Sequence, residues 1–123
     1  MNTKVEQNDS TDGARAESLA AAFLERQGLR VEARNFRARG GEIDLVCRDG
    51  KTLVFVEVRL RRSEAFGGAA ASISATKQQR LIRAARQYPG SERQVCRFDC
   101  VLLSRLDEGA IEWLRDVLME RIT

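Results

Sequence analysis

Two neighbouring stretches of the chain alternate between apolar and polar residues. Residues 41–47 and 52–60 both follow a period of two, which predicts β-strands. Asp49-Gly50 between them is a strong hairpin signal, and we take these two residues as the turn. This register places Asp44 opposite Phe55 and Glu42 opposite Glu57. One face of the hairpin is then apolar and comprises Ile43, Leu45, Cys47, Val54, Val56, Val58 and Leu60. The other face carries Glu42, Asp44, Glu57 and Arg59.

The other periodic segments predict two helices and three further strands. A helix over residues 14–27 is capped by Asp12 and stopped by Gly28. Ser74 caps a second helix that ends at Tyr88, before Pro89. Further strands are predicted over residues 29–36, 95–103 and 111–114. This order indicates an α/β fold with a mixed β-sheet of four to five strands flanked by helices. The strands on either side of the second helix are expected to run parallel.

Length and composition indicate one globular domain. The chain has 123 residues, of which 43% are hydrophobic and 32% are charged. We expect residues 1–11 to form a disordered tail and residues 12–123 to form the domain. No apolar run approaches the ~20 residues of a membrane span, and the polar start lacks a signal peptide. A cytoplasmic protein with no membrane partner is therefore expected, with Cys47, Cys96 and Cys100 as small buried residues.

The clustered acids suggest metal chemistry. Opposed carboxylates destabilise a sheet unless a cation lies between them. The sequence contains no histidine, so a metal would have to be a hard cation with oxygen ligands. Asp44 and Glu57 could bind such an ion, and Arg59, two residues after Glu57, reaches the same pocket. An acid followed on the next strand by Glu-x-basic is the pattern of restriction-endonuclease-like proteins.

A larger set of motifs points to one subgroup of that superfamily. In chain order they are Gly13-x-x-x-Glu17, Arg34-Asn35-Phe36, Gly41-Glu42-Ile43-Asp44-Leu45, Val54-Phe55-Val56-Glu57-Val58, Lys77 and Arg97-Phe98-Asp99. Together they closely resemble the YraN family, which looks like the Holliday-junction resolvases, over roughly residues 12–114. The resemblance implies a restriction-endonuclease-like fold and a Mg²⁺- or Mn²⁺-dependent nuclease acting on DNA, including branched repair or recombination intermediates. It also implies Asp44 and Glu57 as metal ligands, with Glu17 and Glu42 as further ligands.

Position 59 departs from the family pattern, which usually has lysine there. Arg59 supplies charge, but it cannot readily give up a proton as a base. Either the reaction needs only charge at this position, or Lys77 substitutes for the missing lysine, or the enzyme is impaired.

The middle of the chain is strongly basic, which predicts a nucleic-acid partner. Between residues 59 and 97 only Glu64 and Glu92 oppose the basic residues. The predicted nucleic-acid-binding residues are Arg61, Arg62, Arg80, Arg83 and Arg86. Two alternatives to a nuclease stay open: a non-catalytic nucleic-acid-binding protein with a degenerate site, and a protein-interaction module that uses the basic helix. Resolvase-like enzymes tend to act as dimers, but the sequence identifies no dimer surface.

Overall fold

A computed structural model describes residues 11–61 and 73–118. The secondary structure comprises helix α1 (Asp12–Arg26), strands β1 (Arg30–Ala38), β2 (Gly41–Asp49) and β3 (Thr52–Leu60), helix α2 (Ala75–Arg86), and strands β4 (Cys96–Leu103) and β5 (Ile111–Leu114). Short 3₁₀ turns, Ser91–Arg93 and Glu108–Ala110, precede β4 and β5. Most of the predicted tail lies outside the described residues, as does Arg62.

The five strands form one sheet in the order β1-β2-β3-β4-β5. Strands β3 and β4 are parallel, and every other neighbouring pair is antiparallel. The parallel pair follows because the chain crosses over through α2 between them. The predicted mixed α/β sheet flanked by helices is therefore confirmed, including the short fifth strand.

One helix covers each face of the sheet. Helix α1 packs with Leu45, Cys47, Val54, Val56 and Val101 in one apolar cluster. Helix α2 packs with Ile43, Val46, Leu53, Phe55 and Phe98 in the other. Strands β2 and β3 are consequently buried on both sides, which accounts for their nearly continuous apolar sequence. All three cysteines are free, and Cys47 and Cys100 are fully buried. Within the described residues, neither helix combines the length and apolar character needed to cross a bilayer.

The helix starts depend on hydroxyl caps. Thr11 caps α1, because its side chain accepts a hydrogen bond from the backbone N–H of Ala14 at 3.1 Å. The prediction of Asp12 as the cap was therefore wrong by one residue, and Asp12 instead lies in the first turn, where an acid suits the helix dipole. Ser74 caps α2 as predicted by accepting from Lys77 N at 3.1 Å.

The β2–β3 hairpin has a different register from the predicted one. Asp49 pairs with Thr52, so Gly50 and Lys51 are the two turn residues. Gly50 has φ +61° at the first turn position, which is where a type II′ turn needs glycine. Val46 therefore faces Phe55, and the predicted pairings of Asp44 with Phe55 and of Glu42 with Glu57 were wrong. Between Leu45 and Asp49 the side chains of β2 nevertheless keep the predicted facing, because the register changes by two residues and two is the period of a strand.

Strand β1 shifts register between Val31 and Ala33, and further along the chain both β1 and β2 reverse the face toward which their side chains point. Arg34 pairs with Leu45 and Phe36 pairs with Ile43, so Asn35 and Asp44 lie opposite each other in this register. Asn35 has φ +52°, a left-handed conformation that asparagine tolerates better than most residues. Beyond this point Phe36 and Ile43 pack on the α2 side, whereas Leu45 packs on the α1 side. The prediction that Ile43 shares a face with Leu45 was therefore wrong.

Candidate functional site

Two carboxylates meet where the β2–β3 ladder ends. The last paired residues toward this end are Leu45 and Val56. Beyond it, the backbone N–H of Val58 donates to Oδ2 of Asp44 at 2.8 Å. The Asp44 side chain therefore lies across the gap toward β3, where it also shares a side-chain hydrogen bond with Glu57. Glu57 is buried, with 7% of its side chain exposed.

Two cationic side chains face this carboxylate pair. The Lys77 Nζ atom lies 3.2 Å from Oε2 of Glu57, and the Arg59 Nε atom lies 3.5 Å from the same oxygen. Lys77 arrives from the first turn of α2, which Ser74 caps, whereas Arg59 follows Glu57 on β3. The Arg59 Nε atom is buried, and although it is within ion-pair distance it makes no hydrogen bond of good geometry with the described residues. The site thus places two cations beside two acids.

Burial and mutual repulsion shift the proton equilibria of the acids. Burial is the main cause that raises the pKa of Glu57 to about 7, and the neighbouring Asp44 raises it further, while Lys77 and Arg59 oppose the shift. Burial also raises the pKa of Asp44, against the hydrogen bond from Val58. In the absence of a bound cation the pair therefore favours holding a proton near neutral pH.

Glu17 approaches the pair from α1. Its carboxylate is half-buried and takes a side-chain hydrogen bond from Asn35, the residue at which β1 reverses its facing. Burial raises the pKa of Glu17, and the charge of Asp44 adds to the shift. The sequence did not predict that Asn35 would donate a hydrogen bond to Glu17 and so link helix α1 to strand β1. The tolerance of asparagine for positive φ is only a weak signal for such a position.

Glu42 lies at the margin of the site. Its exposed carboxylate is 3.6 Å from Nε of Arg37, and it lines a surface groove together with Lys77 and Arg80. Among residues 11–61 and 73–118, no three acidic or cysteine side chains come together in a group that could hold a metal ion. The roles of Glu17 and Glu42 as metal ligands therefore stay predictions.

The predicted nucleic-acid-binding arginines fall at different places. Arg80, Arg83 and Arg86 are exposed along α2. Arg61 is half-buried just after β3, where its backbone N–H donates to the carbonyl of Leu103 at 2.8 Å. Arg62 cannot be placed, since it lies outside the described residues. Arg37, which lines the groove with Glu42, was not among the predicted residues, because on a single sequence it is one of several arginines of an edge strand.

Comparison with known proteins identifies relatives over most of the chain. The model of the uncharacterised protein family UPF0102 matches residues 16–103. A UPF0102 protein of Dechloromonas aromatica (strain RCB) is 56% identical over 115 residues, covering 91% of this chain and 93% of the relative. A UPF0102 protein of Nitrosomonas europaea is 56% identical over 110 residues, covering 88% of this chain and 93% of the relative. A third, from Cupriavidus metallidurans, is 53% identical over 107 residues, covering 85% of this chain and 78% of the relative.

Proposed function

The chain belongs to the uncharacterised protein family UPF0102, the YraN family that its motifs resemble, and we propose that it is a metal-dependent nuclease that hydrolyses phosphodiester bonds in DNA. The observation that carries the proposal is the pair of adjacent carboxylates, the half-buried Asp44 and the buried Glu57, with Lys77 and Arg59 at ion-pair distance from Glu57. Branched repair or recombination intermediates are the substrates that the family resemblance favours.

The donor chemistry of the pair fits a hard divalent cation. Mg²⁺ is commonly bound through one or two carboxylates and completes its coordination with water and substrate phosphate oxygens. Asp44 and Glu57 supply two carboxylates on adjacent strands, and Glu17 and Glu42 are the predicted further ligands. A bound Mg²⁺ or Mn²⁺ would activate a water molecule and neutralise charge on the phosphoryl oxygen.

The two cations have separable roles in this proposal. Lys77 presents a compact ammonium group with three donors, which suits contact with a phosphate oxygen. Arg59 presents a planar guanidinium that stays charged and stabilises negative charge in the transition state, but it does not accept a proton. Arg59 occupies the position two residues after the glutamate where the family pattern has a cation. Lys77 from α2 adds a second cation, 3.2 Å from the same carboxylate.

One observation favours the non-catalytic alternative. Lys77 and Arg59 already balance the charge of the two carboxylates at short range, so the site does not require a metal ion for neutrality. A protein that keeps this fold could then bind nucleic acid without cutting it. Metal binding and cleavage separate the two functions.

The test begins with a calorimetric titration of Mn²⁺ into the wild type, Asp44→Asn and Glu57→Gln. Wild-type binding that both variants lose supports the proposed site. The matched control is Glu112→Gln, which removes an exposed acid from β5 at the other edge of the sheet. If the wild type binds no Mn²⁺, or if Glu112→Gln reduces binding equally, the metal site is refuted.

Cleavage of labelled linear and four-way DNA in Mg²⁺ and in Mn²⁺ completes the test. We expect Asp44→Asn and Glu57→Gln to abolish cleavage, and Arg59→Lys to increase it, because lysine restores the usual Glu-x-Lys arrangement. If Arg59→Lys is inactive while the wild type cuts, arginine has a specific role at this position. If neither cuts any substrate while DNA still binds, the non-catalytic alternative is correct.

A further inference from the structure

A basic groove lies at the seam between α2 and the β1–β2 hairpin. It has a volume of about 330 Å³ and is lined by Arg37, Ala38, Gly41, Glu42, Lys77, Arg80 and Leu81. Three of these side chains are cationic, and Glu42 is the one acid among them. Lys77 lies at the site end of the groove, since its ammonium group also contacts Glu57. The groove therefore borders the carboxylate pair through Lys77.

The two walls of the groove are held together by backbone contacts. A Cβ atom on Gly41 would lie 2.2 Å from the carbonyl oxygen of Arg80, so α2 and β2 approach more closely there than any other residue type would allow. The Gln87 amide accepts from Arg39 N at 3.2 Å and donates to Arg39 O at 2.8 Å. The Arg83 side chain lies over Gly40 at the hairpin tip. These three contacts make the groove a preformed feature, which reduces the entropy cost of binding.

The charge that the groove presents is accessible. The Arg37 side chain is 83% exposed, and its contact with the half-exposed Glu42 is long, at 3.6 Å. Exposed ion pairs of this kind contribute little energy and are easily exchanged for a stronger partner. The Arg80 side chain is also exposed. Both guanidinium groups are therefore available to an anion, for which a phosphate offers bidentate geometry.

Size and lining together indicate what the groove holds. A volume near the lower limit of ligand pockets, ~300 Å³, has room for roughly one nucleotide, so the groove accommodates the backbone of one strand and not both strands of a duplex. The groove lining includes no aromatic side chain on which a base could stack, so binding must come from the backbone phosphates. Resting on the proposed function, we propose that this groove binds the phosphate backbone of a single nucleic-acid strand, with Arg37 and Arg80 as its phosphate-binding residues.

The proposal is tested by fluorescence anisotropy with a labelled oligothymidine and with a duplex of the same length, in EDTA so that no metal-dependent step contributes. The variants are Arg37→Ala, Arg80→Ala and their combination. Arg30→Ala is the matched control, because Arg30 is an exposed arginine on the same strand, about 23 Å from Arg37 at ~3.3 Å per residue. Each groove variant should weaken single-strand binding about fivefold at 0.1 M salt and lower the slope of log K against log salt by ~0.7. Arg30→Ala should leave both unchanged.

Three results would overturn the proposal. Equal losses for Arg30→Ala would show that general charge, and not the groove, binds the strand. If the wild type binds duplex and single strand with equal affinity, and Arg37→Ala and Arg80→Ala weaken both equally, the assignment to one strand is refuted. A wild type that binds neither nucleic acid would also refute the groove. The Mn²⁺ titration, run on the same protein in buffer free of EDTA, would then show independently whether the metal site of the proposed function survives.

Discussion

Replacement of Glu57 by glutamine should stabilise the metal-free protein at alkaline pH and leave its stability at acidic pH nearly unchanged. Glu57 has its pKa raised from 4.5 to about 7 in the folded chain, chiefly by burial and secondarily by Asp44. Between these two values the native state binds more protons than the unfolded state does. Stability must therefore fall as pH rises through this window. Below pH 4.5 both states are protonated and the penalty vanishes, whereas above pH 7 it is fully present.

The size of the effect follows from the shift. One pKa unit corresponds to about 1.36 kcal/mol, so the shift of Glu57 corresponds to roughly 3 kcal/mol of lost stability above pH 7. Glutamine resembles the protonated acid and can still donate to Asp44. The Glu57→Gln variant should therefore exceed the wild type by about 3 kcal/mol at pH 8, a figure that already includes the opposing effect of Lys77 and Arg59 on the pKa of Glu57.

The assay is urea unfolding monitored by circular dichroism at intervals from pH 4 to pH 8.5, with EDTA present throughout. Glu112→Gln serves as the control, since its exposed carboxylate should give a curve parallel to that of the wild type. If Glu57→Gln is instead less stable than the wild type at pH 8, the ion pairs with Lys77 and Arg59 outweigh burial. Glu57 would then be ionised at neutral pH without a metal ion, and the reasoning would be refuted.

Three further substitutions test the architecture, each measured as a change in the free energy of unfolding by urea. Gly41→Ala should destabilise by about 2–3 kcal/mol, because its methyl group would lie 2.2 Å from the Arg80 carbonyl oxygen, and a neutral result would mean that α2 does not pack as described. Asp99→Ala should lower the free energy of unfolding by about 3–5 kcal/mol. The reason is that this buried carboxylate accepts hydrogen bonds from Arg97, from Trp113 Nε1 at 3.0 Å and from Asp116 N at 2.9 Å. A loss below 1 kcal/mol would contradict that network. Asn35→Ala should lower the free energy of unfolding by about 1–2 kcal/mol more than Asn35→Gly, because glycine adopts φ +52° without strain and alanine does not. If both variants lose the same stability, the loss comes from the missing hydrogen bond to Glu17 and not from the backbone.

The elements of the fold were predictable because their signals are local. A period of two marks β2 and β3, and Ser74 marks the start of α2 through its hydroxyl. The hairpin register was not predictable to the same degree. Asp49-Gly50 is compatible with a turn in which glycine is the second residue, and Gly50-Lys51 with a turn in which glycine is the first. Only the packing of the flanking strands against α1 and α2 decides between these turns.

The composition of the candidate site was partly predictable, and its geometry was not. Asp44, Glu57 and Arg59 are identified by their spacing on two alternating strands, and Lys77 by the family pattern. The approach of Lys77 to Glu57, however, depends on how closely α2 can pack, which Gly41 determines through a contact distant in sequence. A single sequence indicates which residues are chemically suited to a site, but it does not indicate such long-range contacts.

The position of Asp44 depends on a departure from regular strand geometry. In a regular ladder the aspartate side chain would project from one face of the sheet, and the backbone N–H of the neighbouring strand would donate to a backbone carbonyl group. Here β1 and β2 reverse their facing at Asn35 and Asp44, and the carboxylate itself accepts the hydrogen bond from Val58 N. The same reversal turns Ile43 into the α2 core, so apolar packing beyond the site stabilises the irregularity. Local backbone strain persists when the surrounding packing determines it, and the Asn35–Asp44 step of the candidate site has this character.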